Sequence, residues 1–333
     1  MYLAPLNYNR FFKKVFSDPK IVKGFLEAFL GVFIESIEPL NTEHRITDEA
    51  SAVAFDYRCK INGQYIIIDM QQWFKADIVK RFYIYHALSS VLQLELLPIK
   101  TIKASAKKQY ITKSYDGLEP VLTLIWMVSD NLDFEEDYIT FALYPEQAAT
   151  FLQNNDLWKE ENLKNIQIER EKVLNLLNNS TKDLDFLPKN RLIYAFQNNI
   201  VKNKKYSAYF EWFEFAEKTR NKKNKKADFV QYEKNEYIMS AMQRIRKDTL
   251  VADDFTYITD WEKFEQHSKV WEESVEKRGE KRGEKRGTDK TKEATVILSH
   301  KEGIPVDVIA VIVELPIEHV IEIIEKYQKT LTE

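Results

Sequence analysis

The stretch "FDYRCKINGQYIIIDMQ", residues 55–71, decides the fold. Two β-like runs, "AVAFDYRCKI" and "QYIIIDMQ", flank Asn62-Gly63, the strongest short-range signal for a two-residue type I′ hairpin, because both central residues need positive φ. That turn sets Ile61 opposite Gln64, and the same register carried outward sets Asp56 opposite Asp69. Directly opposed residues of an antiparallel ladder share a face, with Cβ atoms roughly 4.5–5.5 Å apart, and like charges there repel. Gln71 lies on the same face as Asp69, about 6.6 Å further along the strand. Two carboxylates held this close share a proton, are neutralised by Arg or Lys, or hold a divalent cation between them. Oxygen ligands of this kind suit Mg²⁺ or Mn²⁺.

Working outward, "SDPKIVKGFLEAFLGVFIESI" places Ser17 and Asp18 as caps and Pro19 in the first turn of a helix. Its apolar residues recur at three- and four-residue spacing from Ile21 to Phe33, which gives a core-facing stripe. After the hairpin, "DIVKRFYIYHALSSVLQL" reads as a second helix starting near Asp77, and "PVLTLIWMVSD" and "DYITFALYP" read as strands. Helix, strands, helix and strand in this order predict a mixed α/β core with helices packed on a sheet. The character then turns helical and charge-rich, with aromatic clusters such as "EWFEF" (211–215) that read as core anchors. "EKRG" repeats three times over 276–287; with a glycine every fourth residue it is a weak helix or a flexible tether. The tail holds three short apolar segments punctuated by Gly303, Pro305 and Pro316, as in a helical hairpin or helix-turn-helix unit. These features divide the chain into a core (1–145), a helical extension (146–275), a repeat linker (276–290) and a small helical tail (291–333) whose helices suit self-association.

The 333 residues carry 49 basic and 52 acidic side chains, so the net charge of −3 gives no overall basic field. Any case for nucleic acid rests on local runs such as "KTRNKKNKK" (218–226) and "KNKK" (202–205). The longest apolar run, "VLTLIWMV", is far short of a membrane span, and the first residues carry no leader pattern. Cys59 is the single cysteine, which excludes an internal disulfide and a thiolate zinc cluster and points to a reducing, cytoplasmic setting without membrane contact. The five histidines, among them His44, His86 and His300, show no metal-binding spacing, and neither a phosphate-binding P-loop nor GxGxxG occurs.

A strand acid, a hairpin, then acid-x-Gln on the next strand resembles the PD-(D/E)xK nuclease superfamily. More closely, the chain resembles the recombination-promoting nuclease/putative transposase (Rpn) family. "FFKKVF" (11–16), "FLEAFL" (25–30), the hairpin, "KRFYIYHA" (80–87) and "PVLTLIWMV" (120–128) carry the likeness. The resemblance implies a restriction-endonuclease-like core followed by a mainly helical C-terminal region, and Mg²⁺-dependent hydrolysis of DNA, with Mn²⁺ as a substitute, linked to recombination or mobile-element movement. It assigns Asp56 and Asp69 as metal-binding carboxylates and Gln71, in the place usually held by the motif's lysine, as the group that positions water. Glu27 is a candidate third metal ligand, and Arg81 with Tyr85 candidate phosphate contacts. The sequence departs from the family at Asn9, where relatives commonly carry Asp, and at Asp69, where Glu is more frequent. The alternative is a degenerate, non-cutting member that binds DNA or a protein partner.

Overall fold

The computed structural model describes residues 1–44, 53–73, 77–105, 108–159, 162–178, 183–266, 292, 295–301, 305–313 and 315–330. They form two compact units, Met1–Val251 and Ala252–Glu333.

The first unit opens with helices α1 (Asn9–Phe16) and α2 (Pro19–Leu30). Asp18 caps α2 by accepting the Lys20 N–H, Pro19 follows it, and Gly31 ends the helix at φ 66°. The apolar stripe therefore stops at Leu30, and Phe33 lies outside the helix, exposed. Short strands β1 (Ile37–Pro39), β2 (Glu43–His44) and β3 (Val53–Ala54) lead to the hairpin, β4 (Tyr57–Ile61) and β5 (Gln64–Gln71). Asn62 and Gly63 take φ 43° and 72°, the signature of the type I′ turn, and Tyr57 pairs Ile68 while Ile61 pairs Gln64, so the register is the one the sequence predicts. Helix α3 (Ile78–Leu92) follows, then a separate two-stranded ribbon of β6 (Ile99–Ser105) and β7 (Lys108–Lys113), then β8 (Val121–Met127) and β9 (Tyr138–Ala142).

Helices α4 (Glu146–Gln153), α5 (Leu163–Leu177) and α6 (Phe186–Lys189) precede β10 (Arg191–Phe196), the strand the sequence reading misses. The sheet order is β1-β4-β5-β8-β10-β9, with β5, β8 and β10 parallel and the outer pairs antiparallel. Because β10 separates β8 from β9, the core does not end at residue 145. Helices α7 (Gln197–Asn203), α8 (Phe210–Thr219) and α9 (Glu236–Ile245) complete the same unit.

Alternation along β8 explains the two layers. Trp126 faces the α1, α2 and α8 side, stacked on Phe25 at 5.3 Å and against Phe213 at 4.1 Å, with Phe12 edge-on at 5.8 Å. Trp212 and Phe213 from "EWFEF" are thus core anchors, fully buried. Ile125 and Met127 face the other side and pack with Ile78 and Phe82 of α3. The run at 218–226 is partly structural. Lys218 and Arg220 pair with Glu214 and Glu217, while the buried Asn224 accepts the Tyr2 and Leu3 N–H groups and donates to Leu3 O. Cys59 is fully buried, and burial pushes its thiol up to about 12.

In the second unit, helices span 252–266, 295–301, Val306–Val313 and Ile317–Thr330. Val296, Ile309, Val313 and Val320 form a core of their own. The EKRG repeat lies outside the described residues. No helix among the described residues is long and apolar enough to cross a membrane.

Gly24 of α2 lets α9 approach so closely that an added Cβ would overlap Tyr237 at Cγ and Cδ2. Gly24→Ala is therefore expected to lower stability by about 1–3 kcal/mol, read as a lower urea midpoint at unchanged slope.

Candidate functional site

Strand β5 is buried along nearly its whole length, yet its carboxyl end carries Asp69 and Gln71. Both belong to the α3 face, in register with Ile125 and Met127 of β8. In open α/β sheets, the carboxyl ends of parallel strands are where ligands bind. Asp56 precedes the first residue of β4, where the hairpin ladder stops. The Met70 N–H, which the next backbone carbonyl would have taken, is accepted at 3.0 Å by Asp56 Oδ2. Phe55, the residue that would supply that carbonyl, donates its own N–H to Thr42 O instead. The chain peels away from β5 at the acid, and the acid's side chain closes the ladder.

Asp69 is almost completely buried, and its Oδ2 has no hydrogen-bond partner among the described residues. Burial raises its proton affinity well above the ordinary carboxylate range; the Asp56 charge adds to this, while Arg81, the Asp56 backbone N–H and Lys13 act against it. Burial also raises Asp56, against the opposing pull of the Met70 N–H, Lys13 and Arg81. The pair is therefore a high-energy anion cluster in which one acid retains a proton more readily than a solvated aspartate does.

Lys13 of α1 was not singled out by the sequence reading. Its Nζ lies 3.4 Å from Asp56 Oδ1, and its side chain is 45% exposed against 7% for Asp56, so it is the solvent-facing member of the group. Nothing local in sequence links residues 13 and 56; only the packing of α1 beside the hairpin does. The available signal was the doubled lysine in "FFKKVF", of which only the flanking apolar residues are needed for the core.

Arg81 stands one turn into α3. It donates from Nε to Tyr85 OH at 3.1 Å and from Nη1 to Gln71 Oε1 at 3.4 Å, and its guanidinium lies over the Tyr85 ring at 5.1 Å. It is thus held beside the acids and not wedged between them. Gln71 also donates to Trp73 O, so both ends of its amide engage the protein, and its effect is to hold Arg81 in place. Two other candidates are placed elsewhere. Glu27 accepts the Ile34 N–H at 2.9 Å and lies 3.9 Å from Lys23, closing the turn after α2. Asn9 is exposed at the first position of α1, where Tyr8 is the N-cap and no side-chain cap forms, so it does not serve as a helix cap.

Among the described residues no group of three or more His, Cys, Asp or Glu side chains converges on a metal position. Asp69 Oδ2, without a hydrogen-bond partner among the described residues, and Asp56 Oδ1, met by Lys13, are nonetheless hard oxygen donors of two interacting carboxylates. That donor set fits Mg²⁺, which is commonly held by one or two carboxylates with waters and substrate phosphates completing its shell. No protein-family model, curated protein or solved structure matches the chain.

The raised acids fix the sign of a pH dependence. A carboxyl whose folded-state proton affinity exceeds its unfolded value stabilises the fold most below the ordinary carboxylate pKa, and that contribution is lost as pH rises through the raised folded value. Asp69→Asn is therefore expected to melt higher than wild type at neutral pH in EDTA, with the gap closing as pH is lowered toward 4. Thermal melts across that range read it directly, and an Asp69→Asn variant less stable than wild type at neutral pH would contradict the assignment.

Proposed function

We propose that the protein is a divalent-metal-dependent deoxyribonuclease of the PD-(D/E)xK type that hydrolyses phosphodiester bonds, with Asp56 and Asp69 as the metal-holding pair. The observation that carries this reading is the buried, partnerless Asp69 oxygen beside a second carboxylate at the carboxyl end of a parallel strand. A protein does not ordinarily bury two like charges together without a compensating cation. The resemblance of the hairpin and "FFKKVF" segments to the Rpn family supplies the substrate class, DNA, and the link to recombination or mobile-element movement.

Mg²⁺, or Mn²⁺ in its place, would be held by Asp69 Oδ2 and Asp56 Oδ1 and would supply Lewis-acid stabilisation of phosphoryl charge and a lower pKa for water. The chain's own groups do the rest. Lys13 lies at the solvent side of Asp56 and offers a positive charge that the acid-x-Gln strand itself lacks, so it takes up the electrostatic part played by the motif's lysine. Arg81, braced by Gln71 and Tyr85, presents its remaining N–H groups for a phosphate oxygen, a geometry in which arginine excels. The closed environment around Asp69 keeps bulk water from screening these charges.

One observation favours the non-cutting alternative, a DNA- or partner-binding module. Gln71 stands in the place usually held by the PD-(D/E)xK motif's lysine, and its contacts are with Trp73 and Arg81. The two readings separate on supercoiled plasmid. Wild type is expected to nick it with Mg²⁺ or Mn²⁺ and not with EDTA. Asp56→Ala and Asp69→Ala are expected to abolish nicking, and Lys13→Met to slow it by about 10²-fold, the usual scale for losing one electrostatic contact to the transition state. Cutting that survives both aspartate substitutions places the chemistry elsewhere; a folded wild type that cuts under no divalent ion leaves the binding module.

A further inference from the structure

The six-stranded sheet ends in two outer strands that are finished differently. At one edge, β1 is three residues long and carries Glu38 and Pro39, the charge and the proline with which edges ordinarily refuse further pairing. At the other edge, β9 and the two residues after it read "YITFALY" (138–144), with no charged residue, glycine or proline. Tyr138, Phe141, Leu143 and Tyr144 are 43–61% exposed, and among the described residues β9 pairs only with β10. The ladder fixes which backbone groups are open. Ile139 faces Tyr194, Phe141 faces Leu192, and one step beyond the strand the Phe196 N–H donates to Asp137 O at 2.9 Å. Bonded and non-bonded pairs alternate along an antiparallel ladder. Ile139 and Phe141 therefore turn their N–H and C=O groups to β10, while Tyr138, Thr140 and Ala142 turn theirs outward.

We propose that this edge pairs antiparallel with the same edge of a second copy of the chain, about a two-fold axis at Phe141. Such a self-pair sets each residue opposite the one equally far beyond the axis, and the order of "YITFALY" is matched in that sense. Tyr138 meets Tyr144, Ile139 meets Leu143, Thr140 meets Ala142, and Phe141 meets its own counterpart. No like charges are opposed, and aromatic and aliphatic cross-strand pairs stabilise a ladder. The open backbone groups demand the same register. With Phe141 at the axis in a non-bonded pair, Thr140 of one copy and Ala142 of the other exchange hydrogen bonds, and these are the residues whose groups face outward. The Phe141 ring meets Tyr194 edge-on at 5.9 Å, and its other half is free to meet the second copy. A foreign strand would find the same open bonds, but the matched order of side chains serves only a second copy. An aromatic side chain buries about 150–250 Å² in full, so the exposed parts of three aromatics and Leu143 give roughly 400 Å² per copy. Two copies and their paired backbones then reach the lower part of the range of specific interfaces, about 1,200 Å², as suits a dimer of micromolar strength.

The test is the mass of the full-length chain in solution, followed by sedimentation velocity from about 1 to 100 μM, the range over which a dimer of this area forms. Wild type is expected to pass from monomer to dimer. Phe141→Lys and Phe141→Glu each set like charges face to face at the axis. Each is expected to stay monomeric alone, and the two to recover the dimer when mixed in equal amounts, an outcome that damage to the fold does not produce. Thr140→Pro removes an outward N–H from each copy and leaves the bonds to β10 in place; it is expected to weaken association by about tenfold or more. Ile317→Lys/Ile321→Lys, at two exposed apolar positions of the last tail helix, is expected to follow wild type. A wild type that stays monomeric throughout, edge variants that still dimerise, a mixture that does not recover the dimer, or a dimer lost in the tail variant instead would each overturn the pairing. None of these outcomes depends on whether the protein cuts DNA.

Discussion

Two aspartates are pressed together at the end of a buried strand, and their repulsion is the constraint around which this part of the molecule is arranged. The register leaves them no freedom. Asn62 and Gly63 accept positive φ, the two-residue turn follows, and every pair down to Tyr57 and Ile68 is then determined. A slip of one residue would turn the isoleucines of β5 out of the core. The apolar demand of the strand thus enforces the proximity of its acids. The surrounding charges answer that proximity only in part: Lys13 approaches Asp56 from α1 and Arg81 acts on both acids from α3, yet Asp69 keeps an oxygen without a partner.

The sheet explains why the pair is accessible to those cations at all. Helix α1 packs on the Trp126 side and α3 on the Ile125 side, so the two basic side chains come from opposite layers. They meet at the carboxyl end of β5, where β4 has already left the ladder. The peel at Asp56 is therefore more than a frayed strand end. It frees the Met70 N–H for a carboxylate and opens the edge to Lys13. Further along the same face, Arg58 ties β4 to α3 through Ser89 at 3.2 Å, so the helix that carries Arg81 is fixed to the strand that follows Asp56.

What the sequence reveals is what local physics controls. The Asn-Gly turn, the Asp18-Pro19 helix start, the helix opening after Asp77 and the uninterrupted apolar run of β8 each depend on a few neighbouring residues, and each stands in the structure as read. Strand β10 was hidden because "RLIYAF" is short, follows three helices and precedes a fourth. Its strand character comes from β8 and β9 on either side, which are distant in sequence. The extent of the sheet was hidden for the same reason, since a segment past residue 145 supplies an inner strand. At the site, the opposed acids were legible from the turn alone. Lys13, and the way Gln71 engages Arg81, were not, because they depend on how helices from two layers converge.

The same distinction bears on the meaning of Gln71. On the proposed nuclease reading, a glutamine where the PD-(D/E)xK motif usually has lysine leaves the strand without a positive charge. In three dimensions, the charge near the acids is not missing, because Lys13 lies 3.4 Å from Asp56 and Arg81 is hydrogen-bonded to Gln71 itself. A lysine at position 71 would repel the arginine that the glutamine now holds. Glutamine on β5 and cations on α1 and α3 therefore form one arrangement. On the nuclease reading proposed above, the total charge facing Asp56 and Asp69, more than the identity of residue 71 alone, would govern whether the pair accepts a divalent ion and an anionic substrate together.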